Sequence, residues 1–264
     1  MDLGLKDKVV ICMSSAAGIG KGIAKEMARE GAKVVICTAE AFKEDLENAQ
    51  AEIEKETGNR PYTFIYDVKD SASITKMIND VAEQLGGVYA LVNHCPGPKA
   101  ATFENLTEED WADGYEKCLH SYVHAIRAAL PYMKAAGEGR ILNSTSSSIK
   151  QALDNLILSN TFRMGVVGMS KTLAREVGQY GILVNTMGPG RIYTDRIKYL
   201  NKIRGEKMGI TEEEYTARDC VSFPQKRYQT VEEYGRMATF LCSPANSAVS
   251  GQYLLVDGAM TTAY

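Results

Sequence analysis

The sequence predicts an α/β fold, a doubly wound parallel sheet of seven strands flanked by helices, in a single domain spanning residues 1–264. Three observations carry this prediction. Short apolar, β-branched runs alternate with helical patterns along the whole chain. Most of the runs are continuously apolar rather than alternating, as expected of strands buried on both faces of a parallel sheet. A glycine-bearing turn follows the first run and leads straight into a helix.

The elements follow in order. Val9–Met13 reads as the first strand, followed by the turn Ser14-Ser15-Ala16-Ala17-Gly18-Ile19-Gly20 and a helix over Gly20–Glu30. Strand Lys33–Cys37 precedes helix Lys43–Thr57, and strand Tyr62–Asp67 precedes helix Ser71–Leu85. Strand Val88–Asn93 leads to one long helix over Thr107–Ala136, and strand Arg140–Thr145 to helix Asn160–Tyr180. Strand Ile182–Met187, helix Val231–Leu241 and strand Tyr253–Val256 complete the series. Strand–helix–strand repetition of this kind implies right-handed crossovers. Only residues 196–225 break the rhythm. This charged, helical-looking insertion after a strand's carboxyl end reads as a substrate lid.

Composition narrows the function. Apolar residues make up 45% and charged residues 24%, ordinary for a globular protein, and the net charge of −3 comes without a basic block. Nucleic acid is therefore not an expected partner. No apolar run reaches the roughly 18 residues of a membrane helix, and residues 1–8 carry charges without an apolar signal core. A cytoplasmic enzyme acting on a small molecule is expected. The six cysteines lack any C-x-x-C pair and read as free core thiols. His120 and His124 stand one helical turn apart but have no further ligand at metal spacing, so no metal site is expected.

The turn at 14–20 carries the first chemistry. Glycines between a strand and a helix let the backbone approach a pyrophosphate, and the helix N-terminus favours the anion. The reading is a Rossmann-type dinucleotide site.

From here the chain resembles the short-chain dehydrogenase/reductase family, in a divergent branch similar to 3-oxoacyl-thioester reductases. The family's T-G-x-x-x-G-I-G turn is matched by Gly18, Ile19 and Gly20, with Ser14 in place of the first glycine. Asp67-Val68 matches the adenine-contacting position, and Asn93 begins the segment that reads N-N-A-G in the family, continuing here as His94-Cys95-Pro96. Val184-Asn185 with Pro189-Gly190-Arg191-Ile192-Tyr193-Thr194 matches V-N-x-x-x-P-G-x-I-x-T, and Val256-Asp257-Gly258-Ala259 matches V-D-G-G with one change. The resemblance implies cofactor contacts from Ser14, Ser15, Gly18, Ile19, Gly20, Thr38, Asp67, Val68, Asn93, Arg163, Pro189, Gly190, Ile192 and Thr194. Thr38 stands where NAD-binding members carry an acid, and Ala17 and Ala39 stand where NADP-binding members carry a base. The small hydroxyl residue tips the expectation toward NADP(H) over NAD(H).

The same resemblance locates the reacting end. The family uses a tyrosine, lowered from a pKa of about 10 by a lysine and the cofactor, with a serine and a helix-borne asparagine. Ile141-Leu142-Asn143-Ser144-Thr145-Ser146 fits the serine-bearing strand, so Ser146 takes the serine's place. Counting 13 residues onward reaches Ser159, and four more reach Arg163. The following Gly165-Val166-Val167-Gly168-Met169-Ser170-Lys171 tracks the family's A-V-V-G-L-T-K and holds this frame. Ser159 and Arg163 therefore replace the tyrosine and lysine, and Cys118 replaces the asparagine. A serine is a poorer proton donor than a tuned phenol, and arginine cannot serve as a base.

Three readings stand open at this point. The first is an oxidoreductase moving hydride between NAD(P)(H) and a carbonyl or alcohol, with Ser146, Ser159, Arg163 and Cys118 as candidate catalytic residues. The second is reduction of an activated carbon–carbon double bond, which needs chiefly an oxyanion stabiliser. The third is a nucleotide-binding protein without turnover. Tyr122 and Tyr193 are candidate replacements for the lost phenol, and His94 falls beside the expected nicotinamide ribose. The resemblance also implies a homo-oligomer, a tetramer joined through the two long helices and the last strands.

Overall fold

The computed structural model describes residues 2–264. Seven parallel strands form one sheet in the order β3-β2-β1-β4-β5-β6-β7. They are β1 (Val9–Cys12), β2 (Lys33–Thr38), β3 (Tyr62–Ile65), β4 (Ala90–Asn93), β5 (Gly139–Ser144), β6 (Ile182–Pro189) and β7 (Tyr253–Val256). The helices are α1 (Gly18–Arg29), α2 (Lys43–Thr57), α3 (Ser71–Leu85), α4 (Glu108–Tyr115), α5 (Ser121–Ala136), α6 (Ile157–Val177), α7 (Asp195–Met208), α8 (Glu212–Cys220) and α9 (Val231–Leu241).

The continuous apolar runs have their cause in the two cores. Successive strand residues point to opposite faces. Val10 and Cys12 of β1 enter a core with Ile23 and Met27 of α1, Leu46 of α2 and Tyr234 of α9. Val9 and Ile11 enter the other, with Ile74 and Ile78 of α3, Ala129 and Met133 of α5 and Val177 of α6. Each large side chain removed from water in this way contributes roughly 1.5–3 kcal/mol. An alternating strand would leave one layer of helices without a surface to bury.

The expected long helix over 107–136 is interrupted. A π-helical turn, Glu116–His120, separates α4 from α5 and puts Cys118 into the interior. Such turns add one residue to a helix and concentrate near functional sites. The insertion after β6 folds as α7 and α8, with Thr194 and Thr211 capping their N-termini. No helix among the described residues is long and apolar enough to cross a membrane.

Strand order reverses between β1 and β4, because β2 and β3 lie on one side of β1 and β5 to β7 on the other side of β4. The loops leaving β1 and β4 therefore part at their carboxyl ends and open a crevice, the usual ligand position in such sheets.

Candidate active site

A cleft of about 1070 Å³ lies at this crevice. On the β1 side it is walled by Ser14, Ala17, Gly18 and Ile19, with Phe42 and Asp45 from the segment after β2. Its other wall holds His94, Cys95 and Pro96 after β4, Ser146 after β5, and Ser159 and Arg163 on α6. Pro189 at the end of β6 and Gly190, Arg191, Thr194 and Arg196 after it also line the cleft.

The first turn is built for close approach. Gly18 sits at φ +56°, a left-handed conformation that L-residues adopt at a cost. A Cβ on Gly20 would fall 2.5 Å from the Ser14 carbonyl oxygen, so only glycine lets the turn close at this point. Ser14 itself holds φ +49°, and its hydroxyl is hydrogen-bonded to the Tyr66 hydroxyl at 2.7 Å. A serine thus occupies the glycine position with glycine's backbone conformation, anchored through its side chain. Helix α1 has no side-chain cap at Ala17, whereas α3, α4, α7, α8 and α9 are each capped by an aspartate or threonine. Its first N–H groups stand beside the cleft without a protein side chain to accept from them. That end suits a pyrophosphate.

Arg163 dominates the electrostatics of the opposite wall. It is 4% exposed, and no carboxylate pairs with it among the described residues. Nη1 donates to the Tyr122 hydroxyl at 3.0 Å and to the Ser144 carbonyl oxygen at 3.3 Å, while the buried Nε has no partner. Arginine stays charged, so this is an incompletely satisfied cation facing a ligand cleft. Burial, and then the Arg163 charge, push His94 down to about 4. At neutral pH His94 is an uncharged imidazole whose Nδ1 lies 3.3 Å from the Ser144 hydroxyl. The Cys95 thiol is held below its ordinary value by its hydrogen bond with Cys118 and by the Arg163 charge, against the effect of burial.

The sequence-derived residues separate into two groups. Ser14, Gly18, Ile19, Ser146, Ser159, Arg163, Pro189, Gly190 and Thr194 are brought to the cleft. The others lie off its walls. Ser15 accepts from the Cys37 N–H and donates to the Cys12 carbonyl, tying β1 to β2. Gly20 packs on the turn, Thr38 is buried at the end of β2, and Ile192 belongs to the core. Asp67 accepts from the Lys69 N–H, and Val68 packs against the helices. Asn93 donates to Asn143, which donates to Ser170, a buried chain linking β4, β5 and α6. Cys118, expected as a catalytic residue, requires correction. It is fully buried behind the wall, with its sulfur against Cys95 and the Pro96 carbonyl, because the π-helical turn swings it inward.

Neither candidate phenol lines the cleft. Tyr122 is buried, donating to the Ser144 carbonyl at 2.6 Å, and Tyr193 donates to Glu212 at 2.7 Å. Sequence reading missed Gln151 and Asp154, which line the substrate side, and Asp45 and Phe42, which line the β2 side. Gln151, Asp154 and Phe42 carry no motif signal, and Asp45 stands as an ordinary first-turn acid of the helix Lys43–Thr57. Among the described residues no cluster of three His, Cys, Asp or Glu side chains is arranged to hold a metal ion.

Comparison with known proteins extends this picture. The family model described as enoyl-(acyl carrier protein) reductase matches residues 13–261. Gluconate 5-dehydrogenase of Gluconobacter oxydans is 29% identical over 94% of this chain and 92% of its own. A 3-oxoacyl-(acyl-carrier-protein) reductase of Vibrio cholerae is 31% identical over 98% of this chain and 99% of its own. Among solved structures, L-sorbose reductase from Gluconobacter frateurii, complexed with NADPH and L-sorbose, superposes with a TM-score of 0.94 at 28% identity, covering 100% of both chains.

Proposed function

The chain belongs to the short-chain dehydrogenase/reductase family and is an NAD(P)-dependent oxidoreductase; on that premise we propose that it interconverts a carbonyl and an alcohol with NADP(H), through a reacting end built from Ser146, Ser159 and Arg163. The observation that carries this reading is Arg163, a buried cation with an unpartnered Nε on the cleft wall that also holds both serines. A cation so placed stabilises negative charge on a substrate oxygen better than the same group in water would.

A bound NADP(H) would lie along the first turn and the wall that carries Arg163, and would supply or accept the hydride. Ser146 and Ser159 donate hydrogen bonds that orient the substrate oxygen. Arg163 offsets the charge that grows on that oxygen, and its fork would hold ribose hydroxyls of a bound cofactor, as the lysine of the resembled family does. The proton reaches the oxygen through the Ser159 hydroxyl and is replaced from water in the cleft. Neutral His94 accepts or donates one hydrogen bond without adding a second positive charge beside Arg163.

Preference for NADP(H) is supported by Thr38, which leaves no acid at the end of β2 to repel a 2′-phosphate, and by the NADPH bound to the sorbose reductase. The segment 196–225 serves as the lid, with Arg196 lining the cleft. A homotetramer is supported by the free edge of β7, where Tyr253 is exposed, and by exposed Tyr115 and Met164 beside the long helices. Light scattering at the mass of four chains is the expected result, and a monomer would exclude that assembly.

The deciding experiment incubates the purified chain with NADPH and a panel of ketones and matched enones, beside a Ser146→Ala control. Ketone-dependent oxidation of NADPH that is lost in the control is expected. Turnover of enones alone would transfer the assignment to double-bond reduction, and tight NADPH binding without turnover would leave a nucleotide-binding protein.

A further inference from the structure

Behind the wall that carries Arg163 lie two thiols that the hydride chemistry does not use. Cys95 and Cys118 have their sulfurs 3.8 Å apart, and both are free. Cys95 is 2% exposed yet borders the cleft; Cys118 is closed off from it. Tyr122 and Val166 pack around the pair in a small cluster of their own. The other four cysteines are also buried and free, with the Cys37 thiol donating to the Cys12 carbonyl.

We propose that Cys95 and Cys118 form a redox-active dithiol in the cleft wall, oxidised by hydrogen peroxide or a small organic peroxide to a disulfide that closes the nucleotide cleft to productive binding. Three features converge on this pair. The sulfurs already touch, so a bond of about 2.05 Å requires a closure of only about 2 Å. Each cysteine sits in backbone able to supply that movement. Cys118 belongs to the π-helical turn, whose extra residue can be shifted along the helix, and Cys95 begins the irregular segment Cys95-Pro96-Gly97-Pro98. Arg163, buried and without a carboxylate, supplies the positive charge that favours a thiolate at Cys95 and hence its attack on peroxide.

The chemistry balances. The Cys95 thiolate attacks one peroxide oxygen; a sulfur–oxygen bond forms, the oxygen–oxygen bond breaks, and hydroxide leaves and takes up the proton that Cys95 released. The Cys118 sulfur then attacks the Cys95 sulfenic acid. A sulfur–sulfur bond forms, the sulfur–oxygen bond breaks, and the departing hydroxide carries away the Cys118 proton as water. Two thiols are oxidised and one hydrogen peroxide is reduced to two waters; an organic hydroperoxide would give one alcohol and one water. The consequence for the cleft is geometric. His94, Cys95, Pro96, Gly97 and Pro98 all line it, so drawing Cys95 toward the helix reshapes the wall. Oxidation also removes both thiols from the surroundings of Arg163, whose charge they favour.

The test treats the full chain with hydrogen peroxide and maps its peptides without reduction. The expected result is a linked peptide joining the segments of Cys95 and Cys118, lighter by two hydrogens, while Cys12, Cys37, Cys220 and Cys242 remain thiols. NADPH binding, followed by its fluorescence, falls on oxidation and returns with dithiothreitol. Cys118→Ser yields no linked peptide and keeps its own level of NADPH binding through the same treatment. A wild-type chain whose Cys95 proceeds to sulfinic acid without a crosslink would overturn the proposal. So would a crosslink that leaves NADPH binding unchanged. The map reads the bond itself, so it is decided even where no ketone is turned over.

Discussion

Arg163 and Tyr122 form one unit: Arg163 Nη1 donates to the Tyr122 hydroxyl at 3.0 Å, and that hydroxyl donates onward to the Ser144 carbonyl at 2.6 Å. The phenol lies outside the cleft, yet it sets where the guanidinium stands within it. Tyr122→Phe removes a hydrogen bond to a charged group, a loss of roughly 1.5–3 kcal/mol. Urea unfolding is expected to register that loss, and turnover to fall as Arg163 loses its fixed orientation. A Phe variant with unchanged kcat and unchanged urea midpoint would show that the contact holds nothing in place.

Replacing Arg163 separates stability from function. In Arg163→Met the Tyr122 hydroxyl keeps the Ser144 carbonyl as its acceptor, so no buried donor is orphaned. Burying a cation without a counter-charge is costly, so the apolar variant is expected to be as stable as the parent or more so. Turnover, in contrast, is expected to drop about 10²- to 10³-fold with the oxyanion left unsupported. Thermal unfolding and ketone-dependent NADPH oxidation measure the two effects on one preparation.

His94 makes the fold acid-sensitive. Its folded pKa, pushed down to about 4 by burial and by Arg163, lies below the ordinary histidine value of 6.5. Between these values the unfolded chain binds the proton and the folded chain does not, so stability falls as pH is lowered from 6.5 toward 4. The loss reaches up to about 3 kcal/mol at the acid end. Denaturant midpoints at pH 7 and pH 4.5 should diverge for the parent and converge for His94→Gln. Equal divergence in both would assign the acid sensitivity to other groups.

Asp45 tests the cofactor end. Its carboxylate lines the cleft next to Phe42, on the side of β2. A 2′-phosphate held there would meet a like charge that screening only partly removes. Asp45→Asn is therefore expected to tighten NADPH about two- to fivefold while leaving NADH nearly unchanged, a surface-charge effect. Titration of both nucleotides reads this directly, and parallel changes in the two affinities would place the phosphate elsewhere.

Legibility in the sequence followed the range of the interactions concerned. The helices Lys43–Thr57, Ser71–Leu85 and Val231–Leu241 and the strand Tyr253–Val256 have the bounds that their periodicity predicts. Local signals wrote them: apolar spacing, and glycines after the first two helices. The break at Glu116–His120 left no comparable trace, since its residues are as helix-compatible as their neighbours. Ser14 was legible as a departure from glycine but not as a residue at φ +49° tied to Tyr66, which lies 52 residues away. Gln151, Asp154 and Asp45 reach the cleft from segments whose polarity alone suggests ordinary solvent contact.

By itself the sequence determined the parallel sheet, the glycine-bearing turn after its first strand and the residues that follow each strand's carboxyl end. These depend on burial patterns and turn chemistry repeated within a few residues of one another. Only the tertiary structure decided that Arg163 is an unpaired buried cation, that Cys118 faces Cys95 rather than a ligand, and that Asn93 braces the sheet. The partners of Arg163 stand 41 and 19 residues away in the chain. A charge's environment is the sum of what folding brings beside it, and no local pattern records that sum.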